Sequence, residues 1–125
     1  MALRHLISPL DLTEEETTRI LDLADRIGTH KEAYAHLAEG KQLATLFYEP
    51  STRTRLSFES AMLSLGGQTL GFAGAEQSSA TKGETVADTV RVVSCYADII
   101  ANASSKRRST ALRLYVCTIP VINAG

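Results

Sequence analysis

The sequence is short of several things that would otherwise decide its class. It has two cysteines in 125 residues, Cys95 and Cys117, both inside apolar segments and neither in a metal-ligand spacing. That argues against a disulfide-stapled scaffold and a zinc module, and predicts reduced core thiols in a cytosolic protein. Thirteen Lys and Arg against fourteen Asp and Glu leave a formal charge of −1, so no basic excess points to nucleic acid and no acidic run to a disordered tail. There is no charged-then-apolar leader and no long uncharged apolar run, so neither secretion nor membrane insertion is indicated. Histidine is scarce as well: His5, His30 and His36 are scattered without partners, and each reads as a surface or core residue. No internal repeat or low-complexity segment occurs. What is present, 44% hydrophobic residues, suffices for one globular domain that buries roughly two-thirds of its unfolded surface.

The chain is organised around the stretch from Phe47 to Glu59, Phe-Tyr-Glu-Pro-Ser-Thr-Arg-Thr-Arg-Leu-Ser-Phe-Glu. The apolar run Leu43 to Phe47 predicts a buried strand, and Pro50, which donates no N–H, ends it at Glu49. Ser51 and Thr52 are good N-caps for a following helix whose apolar face is Leu56, Phe58, Met62, Leu63 and Leu65. A helix N-terminus presents free backbone N–H groups and the positive end of the helix dipole. Two hydroxyls and two arginines placed there predict an anion site, most naturally for a phosphate or carboxylate. The plainer alternative is a capped helix with two solvated arginines, since Ser and Thr caps are common.

Elsewhere, Asp11 or Thr13 caps a helix running through Ile27, with Leu12, Ile20, Leu21, Leu23 and Ile27 as its stripe and Glu14, Glu15 and Glu16 in its first turn. That acidic cluster reads as helix-end electrostatics rather than a metal site. Gly28 breaks the helix, and a polar helical piece from about Lys31 to Leu37 ends at Gly40. Gly66 and Gly67 stop the central helix, and Gln68 to Phe72 predicts a second strand. Ala73 to Gly83 is small and polar and reads as a flexible loop. Glu84 to Val93 predicts a helix with Val86, Val90 and Val93 on one side, and further strands are expected at Ala97 to Ala101 and Ile119 to Asn123. Strands alternating with helices predict an α/β fold, a parallel four-stranded sheet flanked by helices with right-handed crossovers.

The organising stretch resembles the carbamoyl-phosphate signature of the aspartate and ornithine carbamoyltransferases. Lys82-Gly83-Glu84-Thr85 with Ala87-Asp88-Thr89 is similar to a second family motif, and Pro120 to Gly125 to a third. Ser57-Phe58-Glu59 and Lys82 to Thr85 look like the aspartate branch; Leu56 stands where the ornithine branch often has cysteine. The resemblance implies that residues 1–125 are the carbamoyl-phosphate-binding domain of a two-domain enzyme. It implies attack of the L-aspartate amine on carbamoyl phosphate, giving N-carbamoyl-L-aspartate and phosphate in pyrimidine biosynthesis, without a metal or organic cofactor. Ser51, Thr52, Arg53 and Thr54 would hold the phosphate and carbamoyl oxygen, with Arg53, Thr54 and Lys82 as the catalytic set and Glu49 as a structural partner of a cation elsewhere. Ser78 and Lys82 would reach a neighbouring subunit's site, so the expected assembly is a homotrimer with shared sites. Regulatory chains are left open. The rival readings are a non-catalytic anion-binding or assembly module and an ornithine carbamoyltransferase.

Two departures from the family pattern stand out. No counterpart of the aspartate-binding domain, or of the segment carrying the family's catalytic histidine and glutamine, lies within these residues. Where the family continues from its third strand as Met-Arg-His-Pro, this chain reads Asn102-Ala103-Ser104-Ser105, with Ala103 in the arginine's place. The expectation is a chain that binds carbamoyl phosphate and is impaired in turnover. Asn102 to Leu112 can be encoded by codons that, read one base later, spell Met-Arg-His-Pro-Lys-Glu-Gly-Ala-Pro-Arg. A pair of compensating frameshifts is therefore expected, the second near Cys117, leaving the intervening helix poorly formed.

Overall fold

The computed structural model describes residues 3–49, 51–73, 86–103 and 117–125. Its elements in chain order are α1 (Glu14–Thr29), β1 (Gln42–Phe47), α2 (Thr52–Ser64), β2 (Gln68–Ala73), α3 (Val86–Val93), β3 (Ile99–Ala103) and β4 (Val121–Asn123). The strands form one parallel sheet in the order β2-β1-β3-β4, as the alternation of strand and helix predicts. β1 is flanked on both sides, and its residues Leu43 to Phe47 are all buried, which explains why this segment is a continuous apolar run rather than an alternating one.

Successive side chains of β1 point to opposite faces. On one face Leu43 and Phe47 join Met62, Ala101 and Ala103, with Phe58 of α2 packed over them. On the other, Ala44 and Leu46 join Val90 of α3, Ile100 and Val121. The two helices thus cover the two faces of the sheet. The chain leaves β1 through α2 to β2 on one side, then passes through α3 to β3 on the other side of β1. The strand order therefore reverses at β1, and open parallel sheets bind their ligands beyond the C-terminal strand ends at such a reversal.

The N-terminal segment is tied to the outer strand. Leu6 N donates to Val121 O at 2.9 Å, and Asn123 N donates to Leu6 O at 2.8 Å. His5, expected to lack a partner, accepts the Val121 N–H on Nδ1 at 3.0 Å. Thr13 rather than Asp11 caps α1: its hydroxyl accepts from Glu16 N and its N–H donates to Glu16 Oε1, each at 3.1 Å. Asp11 instead closes a short 3-10 turn by accepting from the N–H groups of Ile7 and Ser8.

Several boundaries differ from expectation for local reasons. α1 runs through Gly28 to Thr29, since an isolated glycine weakens a helix without ending it. The piece after it is a 3-10 turn, Lys31–Tyr34, followed by turns to Gly40. β1 ends at Phe47, two residues before Glu49, and β3 starts two residues later than expected. Ala97 is buried but lies in the connection from α3, and Asp98 accepts the Gln42 N–H to start the pairing. The largest misreading concerns the outer helix faces. Leu56 and Leu63 of α2 are more than half exposed, leaving Met62 and Phe58 to make its packing. α1 buries none of its residues, and Ile20, Leu21 and Leu23 of its apolar stripe are exposed. Both cysteines are free; Cys117 is buried as expected, whereas Cys95 is exposed at the end of α3.

Candidate functional site

The N-terminus of α2 follows directly beyond the C-terminal end of β1, where the strand order reverses. Ser51 is the N-cap residue, in a non-helical conformation with φ −151° and ψ 76°, and its side chain makes no capping hydrogen bond. Its hydroxyl is therefore not committed to the helix. The first turn continues with Thr52 and Arg53, both exposed, and Thr54, half-buried. Arg55 N closes the turn on Ser51 O at 3.0 Å, and Ser57 Oγ donates to Arg53 O at 2.8 Å.

The two long helices treat their N-termini in opposite ways. α1 has a hydroxyl cap and three glutamates in its first turn, so its positive end is answered from within the chain. α2 has no acidic residue in its first turn and no side-chain cap. Its amide groups and dipole stay available to an external anion, flanked by the hydroxyls of Ser51, Thr52 and Thr54 and by the Arg53 guanidinium.

The expected convergence of two arginines does not occur. Arg55 turns back along its helix, and its Nε lies 3.2 Å from Glu59 Oε1, four residues on. Glu59 Oε1 in turn accepts from Thr45 Oγ1 at 3.0 Å, and Thr45 is fully buried in β1. Placing both arginines at the helix end misses this, although Arg and Glu at i,i+4 is a pattern that pairs.

The other expected residues are placed as follows. Glu49 is exposed just past β1 and makes no ion pair with the described residues. Ser78 and Lys82 lie outside the described residues, as do the motif Lys82 to Thr85 and residues 104–116, where the ill-formed helix was expected. Ala103 ends β3 beside Phe47 of β1, 5% exposed, at the position where the family pattern has arginine. Tyr48 and Phe72 close the neighbouring rim with an edge-to-face contact, ring centroids 5.2 Å apart. Among the described residues no group of His, Cys, Asp and Glu could hold a metal ion, and no helix is long and apolar enough to cross a membrane.

Comparison with known proteins agrees with this fold. Residues 4–125 match the family described as aspartate/ornithine carbamoyltransferase, carbamoyl-P binding domain. The chain is 55% identical over 123 residues to an aspartate carbamoyltransferase catalytic subunit of Lachnoclostridium phytofermentans, and 57% identical over 122 residues to that of Clostridium acetobutylicum. Each match covers 98% of this chain and 40% of the relative, so the chain spans about two-fifths of the relatives' length. Among solved structures it superposes on the catalytic subunit of M. jannaschii aspartate transcarbamoylase with TM-score 0.90 at 46% identity, covering 98% of this chain and 42% of that one. An aspartate transcarbamoylase from Trypanosoma cruzi in complex with carbamoyl phosphate and aspartate gives TM-score 0.89 at 31% identity, covering 98% and 41%. The chain belongs to the aspartate/ornithine carbamoyltransferase family.

Proposed function

We propose that the first turn of α2 holds carbamoyl phosphate, and that the chain is the carbamoyl-phosphate domain of an aspartate carbamoyltransferase, a cytoplasmic enzyme of pyrimidine biosynthesis. The observation that carries this reading is a helix N-terminus left without an internal cap or acid, at the point where the strand order reverses. The aspartate branch is favoured over the ornithine branch by identities of 55% and 57% to aspartate carbamoyltransferase catalytic subunits.

In this reading the α2 amides and the hydroxyls of Ser51, Thr52 and Thr54 bind the phosphate and carbamoyl oxygens, and Arg53 pairs with the phosphate. Negative charge grows on the leaving phosphate as the aspartate amine attacks the carbamoyl carbon. Positioning and charge stabilisation by Arg53, Thr54 and Lys82 then supply the catalysis, with no metal or organic cofactor needed. Glu49 would support the loop by pairing with a cation beyond the described residues.

Binding without turnover is favoured for these 125 residues by Ala103, whose methyl group stands at the end of β3 where a cation would face the anion. Calorimetric titration with carbamoyl phosphate tests the site. Saturable binding is expected, weakened about tenfold or more by Arg53→Ala, because one arginine–phosphate contact contributes roughly 1.5–3 kcal/mol. Equal affinities in the two proteins would remove the assignment. Carbamoyl aspartate formation by the same chain is expected to be negligible, and turnover at a rate typical of the family would show that the site is misplaced.

A further inference from the structure

The N-terminal part of α2 carries two arginines two residues apart, and the structure gives them different surroundings. Arg53 is exposed and makes no ion pair with the described residues. Arg55 has its Nε shut off from solvent and without a well-aligned hydrogen bond, 3.2 Å from Glu59 Oε1. Side-chain exposures of 30% for Arg55 and 19% for Glu59 make this a largely desolvated pair, less screened than one on the open surface. Glu59 is held from the other side by the hydroxyl of Thr45, at the centre of the sheet face that α2 covers. Room for that hydroxyl comes from Gly71 on the adjacent strand, since a Cβ there would lie 2.5 Å from Thr45 Oγ1. The sheet floor thus fixes a carboxylate, and the carboxylate fixes a guanidinium about one helical turn from Ser51.

We propose that Glu59 is a positioning residue of the anion site: it holds Arg55 back along α2 and cancels its charge, so that Arg53 is the first-turn arginine that answers the phosphate. This rests on the site reading above. Its chemical consequence is a directed site. An uncancelled Arg55, about 4.5 Å along the helix axis from Thr52, would attract the same anion from a second direction. That would strengthen binding of any phosphate and blur the orientation that transfer requires.

The test is calorimetric titration of the 125-residue chain with inorganic phosphate at low and moderate ionic strength. Glu59→Gln keeps an acceptor for Thr45 but removes the charge that cancels Arg55. Phosphate binding is then expected to tighten by about threefold at low ionic strength and to become more salt-dependent. A merely structural role would weaken binding or leave it alone. The double variant Glu59→Gln with Arg55→Gln is expected to return affinity and salt dependence to those of the parent. Arg55→Gln alone, which does not rely on the Glu59 variant folding, leaves the Glu59 charge uncancelled and is expected to weaken phosphate binding by about threefold at low ionic strength. Unchanged or weaker phosphate binding by folded Glu59→Gln overturns the proposal, as does a tenfold loss in Arg55→Gln, which would make Arg55 a direct ligand. Arg53→Ala separates this from the reading beneath it: a parent that binds no phosphate, or an Arg53→Ala protein that binds as well as the parent, overturns the site itself and the proposal with it.

Discussion

Gly71 and Thr45 are register partners on β2 and β1, and they approach so closely that no side chain fits between them. A Cβ at position 71 would lie 2.8 Å from the Thr45 carbonyl carbon as well as meeting its hydroxyl, and the Gly71 backbone has φ +151°. Gly71→Ala should therefore push β2 away from β1 and disturb the Thr45–Glu59 contact. A loss of about 1–3 kcal/mol is expected from overpacking of this kind. Gly28→Ala is the control: it lies in α1 with nothing within 4 Å, and the exchange should stabilise by about 0.4–1 kcal/mol. Denaturant unfolding of the two variants should move in opposite directions, and a Gly71→Ala protein as stable as the parent would refute the close approach.

The N-terminal strap predicts an acid-sensitive joint. Arg4 pairs with Glu16, and that hydrogen bond is the chief reason the Glu16 carboxyl titrates at about 2 instead of 4.5, with the Thr13 N–H adding to it. Asp11 is held below its ordinary value first by the Ser8 N–H and then by that of Ile7. Both carboxyls have depressed values in the folded state. Their contribution is thus fully present above the unfolded-state values and is lost as pH falls through the folded-state ones. For Glu16 the window runs from about 4.5 down to about 2. Amide exchange or NMR shifts across that range should show the first turn of α1 loosening before the sheet. Arg4→Ala should weaken the pH dependence, and an identical acid profile in that variant would refute the linkage.

Shared sites predict an oligomer. If Ser78 and Lys82 serve a neighbouring subunit, the chain should sediment as a homotrimer at high concentration. Arg53→Ala protein mixed with Lys82→Ala protein should then regain carbamoyl-phosphate sites that neither has alone. A monomer at every concentration would contradict the shared arrangement.

What could be read in the sequence follows physical range. β1 was legible because a strand buried on both faces is apolar at consecutive positions and ends before a proline, and the parallel sheet followed from the strand–helix rhythm. The turn proposed to bind the anion could be picked out because Ser51 to Thr54 carry its hydroxyls and cation in consecutive positions. The restraint on Arg55 could not be, because it depends on Thr45, fourteen residues before Glu59 and visible only once β1 lies under α2. The same holds for His5, whose partner Val121 is 116 residues away. Helix faces misled because Leu56, Leu63 and the α1 stripe have the spacing of buried positions, yet spacing does not say whether a covering surface lies within these 125 residues.

Asn102 gives the expected frameshift a physical test. It sits in β3 at 1% exposure, and its Oδ1 has no hydrogen-bond partner among the described residues. Burying such an oxygen unpaired costs about 1–3 kcal/mol. The reading one base later puts methionine at this position, which removes the polar atom from an apolar strand flanked by β1 and β4. It also puts arginine at 103, at the C-terminal end of β3 on the sheet face that α2 covers. Two outcomes are expected. Asn102→Met should raise the unfolding temperature, and Ala103→Arg should tighten carbamoyl-phosphate binding while leaving the Arg53 requirement in place. Sequencing the gene should reveal codons from 102 to 112 that spell Met-Arg-His-Pro in the shifted frame. Codons that do not would end the frameshift reading and leave Asn102 as a buried amide whose oxygen is paired by nothing in the described chain.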